Sequence, residues 1–116
     1  MTVTPIDLFA APVHLRPGGE IHAGKRPPET GQDGWTLTAF HARTDVDAGR
    51  WDVHPEGEKI VVCLIGMLRL YLRAEPAEEE IRLTAGTAAI VPRGRWHRIE
   101  LDTPCDIMAV TLPGGR

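Results

Sequence analysis

The stretch most suited to chemistry is Gly86-Thr-Ala-Ala-Ile-Val-Pro92-Arg-Gly94-Arg-Trp96-His97. A glycine turn leads into a short apolar strand, a Pro-x-Gly corner ends that strand, and a Trp-His pair opens the next. Alternation along the strand then aims one imidazole, His97, at whatever the strands enclose. An imidazole titrates near neutrality and ligates divalent metals, so one facing an enclosed space can move a proton or hold an ion. Four other histidines accompany it. His41 falls mid-strand and is a candidate to line the enclosed space, while His14 and His22 are expected at the surface or at a subunit contact. The two cysteines, Cys63 and Cys105, lie inside apolar strand-like runs. They are expected to be inert buried thiols rather than a disulfide framework.

These residues need elements to position them, and the chain supplies short strands. Ile6 to Leu15 reads as a turn followed by an edge strand, with Pro12 breaking any helix. Residues 17–34 hold Pro17, Gly18, Gly19, Gly24, Pro27, Pro28, Gly31 and Gly34, which predicts a long loop. From Trp35 the pattern has period two. Strands are expected over Trp35–Arg43, Trp51–His54, Lys59–Ile65, Met67–Arg73, Ile81–Thr84, Ala88–Val91, His97–Leu101 and Cys105–Leu112. Lys59–Ile65 is a continuous apolar run, as expected of a strand buried on both faces. Ile60, Val62, Leu64, Ile90 and Leu112 are the expected core positions. Turns fall at Asp45 to Gly49, at Glu56-Gly57, at Gly66 and at the acidic segment 74–80. Many short strands with turn signals between them predict an all-β sandwich or barrel.

Size and charge set bounds on what such a domain does. A chain of 116 residues is one domain by size, with residues 1–34 as an N-terminal arm and loop and 35–112 as the barrel. A chain this short buries a modest share of its surface, so a dimer contact would help its stability. The net charge is −3, and basic residues are scattered apart from Lys25-Arg26, which argues against a nucleic-acid partner. No segment approaches the roughly 18 apolar residues of a membrane span. Met1 to Pro5 has no basic leader, so a cytoplasmic location is expected.

The spacing Gly86-x5-Pro92-x-Gly94-x2-His97 resembles the second motif of the cupin superfamily, with Leu101 where that motif usually ends in Asn. Trp51-Asp-Val-His-Pro-Glu-Gly-Glu-Lys-Ile-Val-Val-Cys-Leu-Ile-Gly66 is similar to a degenerate first cupin motif. Asp7 to Leu15 and Trp51 to Gly57 are also similar to segments shared by a group of small bacterial cupins. The resemblance implies a small double-stranded β-helix, or jelly-roll barrel, often dimeric, with a site in its mouth. It further implies Fe, Mn, Ni or Zn held by three His and one Glu, a donor set suited to borderline divalent ions.

Carried over residue by residue, the resemblance puts His54 and His97 at two histidine positions and Asp52 at the third. The glutamate position falls on Lys59 when counted back from Gly66, or on Glu58 when counted forward from His54. Only one of these neighbours can face inward, and the count from Gly66 together with the Trp51-x-x-His54-Pro55 segment favours Lys59. With Lys59 inward, there is no standard metal site, and His54, Lys59, His97 and Asp52 form a catalytic set for acid–base chemistry of the isomerase, cyclase or lyase type. With Glu58 inward, His54, His97 and Glu58, joined by Asp52, would hold a metal for a dioxygenase or isomerase. A third reading is a non-catalytic small-ligand sensor. Trp51 and Trp96 flank the site positions and are assigned to substrate contact, with strand packing as the alternative. Cys63 shares the face of Lys59 by parity and is assigned to the same wall. The expected partners are a small, anionic molecule and a second copy of the chain.

Overall fold

The computed structural model describes residues 2–24, 34–45 and 49–112. Half of the loop expected over 17–34, part of the turn after Asp45 and the tail beyond Leu112 lie outside them. The described residues form nine strands: β1 (Val13–Leu15), β2 (Ile21–Ala23), β3 (Trp35–Ala42), β4 (Lys59–Ile65), β5 (Met67–Leu72), β6 (Glu79–Thr84), β7 (Thr87–Val91), β8 (His97–Leu101) and β9 (Cys105–Thr111). The fold is all-β, as the alternation predicts. Among the described residues no helix is long and apolar enough to cross a membrane.

The strands form two antiparallel sheets, a six-stranded one in the order β2-β1-β3-β9-β4-β7 and a three-stranded one in the order β6-β5-β8. Their facing sides make the core. Leu68, Leu70 and Leu72 of β5 alternate inward and meet Val61 and Cys63 of β4, Ile107 of β9, Leu83 of β6, Val91 of β7 and Ile99 of β8. Period-two alternation with one face apolar is the pattern that such packing needs.

Strand β4 departs from its expectation. It contributes one face to the core, through Val61 and Cys63, which are fully buried. Ile60, Val62 and Leu64 point the other way and are half-buried, and Ile90 is 67% exposed. Parity excludes both sets from one core, because neighbours on a strand face opposite sides. The outward set is apolar for another reason. The register aligns Ala23, Val13, Leu37, Val110, Ile60 and Ile90 in one row across all six strands. A second row runs Ala39, Met108, Val62, Ala88.

Two other expectations are corrected. β1 is not an edge strand, because β2 pairs with its free side. β2 lies inside the Gly/Pro-rich segment, whose punctuation hides three strand residues. Trp51–His54 is not a strand; Asp52 makes an isolated bridge to His97. His14 is buried rather than exposed. Its Nε2 lies 2.9 Å from the Gly24 carbonyl and its Nδ1 3.2 Å from Thr36 Oγ1.

Candidate functional site

Three short pieces of chain build one cluster. Asp52 and His97 are directly opposed, and each backbone N–H donates to the other's carbonyl, at 2.8 and 3.0 Å. A pair exchanging both bonds carries its two side chains on the same side of the sheet. His97 in turn sits opposite Leu72 of β5, whose side chain is in the core. Lys59 opens β4 opposite Val91, again a core-facing position. His54 is brought in by the Pro-x-Gly corner, where the Gly94 N–H donates to the His54 carbonyl at 3.0 Å. Gly94 has φ of +75°, a conformation that glycine takes without the steric cost of a Cβ.

The side chains then form one hydrogen-bonded network. Asp52 Oδ2 accepts from His54 Nε2 at 3.0 Å and from Lys59 Nζ at 3.3 Å. Asp52 Oδ1 accepts from the Val53 N–H at 2.9 Å. Lys59 Nζ also lies 3.0 Å from His97 Nε2. His97 Nδ1 is 3.1 Å from the Arg95 carbonyl, so Nδ1 carries the proton and Nε2 accepts from the ammonium. His54 Nδ1 is buried and has no hydrogen-bond partner. His97 is 1% exposed, the side chains of His54 and Lys59 are 12% exposed, and that of Asp52 is 36% exposed. The carboxylate is therefore the open edge of the cluster.

Burial and mutual charge set the protonation states. Burial, reinforced by the Lys59 charge, pushes His97 down to about 4, so it is neutral at ordinary pH. Burial also lowers Lys59, against the opposing pull of Asp52. Burial would raise Asp52, but Lys59 and His54 outweigh it and hold its carboxyl below the usual range. The resting set is a carboxylate, an ammonium and a neutral imidazole of fixed tautomer.

Asp52, His54, Lys59 and His97 are thus brought together, and the remaining candidates are not. Glu58 is exposed and takes no part in the network, because its neighbour Lys59 takes the inward side. His41 is on the outer face of β3, 2.6 Å from Asp106 and stacked under Phe9 with ring centroids 4.0 Å apart. Parity separates it from the interior, which Phe40 and Ala42 face. Cys63 does share the face of Lys59, but it lies deep in the core. Its thiol donates toward the Gly66 carbonyl at 3.4 Å, and burial pushes it up to about 11. It is an inert core thiol and does not reach the cluster.

Trp51 and Trp96 precede Asp52 and His97 and therefore face the opposite way. They belong to a ladder on the outer side of the three-stranded sheet. The Arg73 guanidinium sits 5.2 Å from the Trp96 ring and 4.7 Å from the Trp51 ring, and Arg98 sits 5.3 Å from Trp51 and 4.3 Å from Tyr71. The sequence carries no sign of this ladder beyond shared parity. It equally hides the Arg95 carbonyl that fixes the tautomer of His97, since a backbone acceptor has no residue type to read.

The donor atoms of Asp52, His54 and His97 lie within 4.8 Å of one another, which makes them a possible metal-ligand group. Lys59 does not fit with an ion there. Its ammonium bridges two of the three donors, has no lone pair to offer and would repel a cation. Two unit charges 4 Å apart repel by about 4 kcal/mol at an effective dielectric of 20.

No family model matches the chain, and no curated protein matches it in sequence. Solved structures do match. A cupin-2 domain-containing protein from Shewanella frigidimarina NCIMB 400 shares 19% identity over 67% of this chain and 70% of its own, with a TM-score of 0.57. FeII HppE in complex with substrate shares 16% identity over 67% of this chain and 45% of its own, at 0.56. Bacillus subtilis oxalate decarboxylase, described with Mn(II) centres, shares 16% identity over 71% of this chain and 22% of its own, at 0.56. Similarity at this level establishes the architecture alone: the chain has the cupin jelly-roll fold.

Proposed function

We propose that this cupin-fold chain binds a small anionic molecule at the Asp52–His54–Lys59–His97 cluster and acts on it by proton transfer, without a standard three-His, one-Glu metal site. The observation that carries this reading is the position of Lys59 Nζ, 3.0 Å from His97 Nε2 and 3.3 Å from Asp52 Oδ2. An ammonium has three N–H donors. Two are engaged by those neighbours, and the third has no partner among the described residues. A carbonyl or carboxylate oxygen of a ligand would complete the set. As negative charge develops on that oxygen, the ammonium stabilises it. His97 Nε2, a neutral acceptor held by the Arg95 carbonyl, fixes the ammonium in place, and the open Asp52 carboxylate is the base that takes the proton leaving the ligand's carbon. Isomerisation, cyclisation, elimination and decarboxylation all build charge on such an oxygen. That one neighbour was captured with its substrate is consistent with small-molecule binding by this fold.

A second copy of the chain completes the assembly. The outer face of the three-stranded sheet is charged, with Arg69 paired to Asp102 and Arg98 to Glu78. The outer face of the six-stranded sheet carries the aliphatic rows instead. A small domain with one charged and one apolar outer face gains by covering the latter.

The test is NMR in deuterated water on a panel of small keto and hydroxy acids. The wild type should exchange or convert a proton next to the carbonyl of at least one. Lys59→Met and His97→Gln should each slow this by about 100-fold or more, the scale of a lost acid–base group. Saturable binding with no exchange or turnover on any acid would sink the enzymatic reading and leave a ligand-binding protein.

A further inference from the structure

We infer that the Lys59 ammonium occupies the place of a divalent ion, so that Asp52, His54 and His97 are a metal-ligand set closed by the chain's own cation. An ion shared by an imidazole nitrogen and a carboxylate would lie about 2.0 to 2.2 Å from each. Lys59 Nζ bridges the same two atoms, His97 Nε2 and Asp52 Oδ2, at hydrogen-bond distance. Ion and ammonium cannot both sit there.

The rest of the cluster keeps the features that ligation needs. His97 donates Nδ1–H to a backbone carbonyl and points Nε2 inward, the tautomer and orientation that a ligating histidine takes. Asp52 already turns one oxygen to a cation while the Val53 N–H holds the other. His54 Nδ1 is a buried nitrogen without a partner, which an ion or a rearranged ring would satisfy. Removing the ammonium would leave His97 Nε2 without a donor and Asp52 Oδ2 with His54 Nε2 alone, a state that a cation relieves. The centre therefore holds an ammonium that brings a proton, where an ion would bring an open coordination position.

The inference rests on the cluster described above, yet its readout is ion stoichiometry. A protein that turns over no acid at all can still pass it, so the two ideas fail separately. Chelator-stripped protein is titrated with Zn²⁺ and with Mn²⁺ by calorimetry at neutral pH, with circular dichroism confirming the fold. The wild type should show no one-to-one site. Lys59→Ala should take up one equivalent, with affinity raised by about 100-fold or more. The Lys59→Ala/His97→Ala double variant should lose it. Should Lys59→Ala not fold, Lys59→Met, which keeps the length and removes the charge, carries the same expectation. A folded variant that gains no ion overturns the inference. So does a wild type that binds one equivalent and loses it on His97→Ala.

Discussion

At the residue scale, the cluster is a set of charges whose states depend on one another, and pH exposes that dependence. His97 is held down to about 4 against an ordinary value of 6.5. Between those values the unfolded chain binds a proton that the native chain refuses, so native stability falls as pH drops from about 6.5 toward 4 and then levels off. Asp52, held low by Lys59, adds a further loss in still stronger acid. The His97 contribution is on the order of 3 kcal/mol, because a tenfold change in proton affinity corresponds to about 1.4 kcal/mol. Urea midpoints followed from neutral pH into mild acid should show this slope, and His97→Gln should flatten it. Asp52, His54 and His97 are legible in the sequence through the two motif-like segments. For the fourth, the count back from Gly66 favours Lys59, but a second spacing fits Glu58, and one residue of slip exchanges the faces. His41 and Cys63 are hard to place for related reasons. Parity cannot say which side of β3 is inner, nor how far along β4 the cluster extends.

At the element scale, the turns that frame β5 and β7 are the test. Gly66 and Gly86 both adopt positive φ, at +96° and +85°. They differ in their surroundings. A Cβ on Gly86 meets nothing within 4 Å, whereas one on Gly66 lies 2.4 Å from the Pro104 carbonyl oxygen and 2.8 Å from Cys105 Sγ. Gly86→Ala should cost about 1 to 2 kcal/mol, the left-handed penalty alone. Gly66→Ala should cost clearly more, because backbone must also move. Denaturant midpoints of the pair isolate the crowding. Strands with clean alternation, such as Met67 to Leu72, are readable, and so are the glycine turns. β2 is not, because three residues inside a Gly/Pro-rich segment give no period. The Asp52 bridge passes for a strand in the sequence, because Val53 buries its side chain without any ladder around it.

At the scale of the whole molecule, the two outer faces differ in kind. The proposed dimer buries the row that ends at Ile90, so light scattering should give the mass of two chains. Ile90→Lys, which places a charge on that row, should shift the mass toward one chain while leaving the β-sheet circular dichroism intact. A wild type of single-chain mass at high concentration would refute the dimer. The apolar outer row also accounts for the sequence reading of β4. A run apolar on both faces looks the same whether its second side meets a core or a partner, and composition alone cannot separate the two.

The arginine ladder has an optical consequence. Two of the three tryptophans, Trp51 and Trp96, each adjoin a cluster residue along the chain, and both rings are stacked on the same guanidinium. The third, Trp35, opens β3, two strands away from Lys59 in the six-stranded sheet. A ligand that draws Asp52 or His97 inward must pull on the backbone that carries one of these indoles, and so alter its contact with a positive charge. Titrating the protein with a ligand of the proposed centre should therefore shift its tryptophan emission, a readout that needs no label.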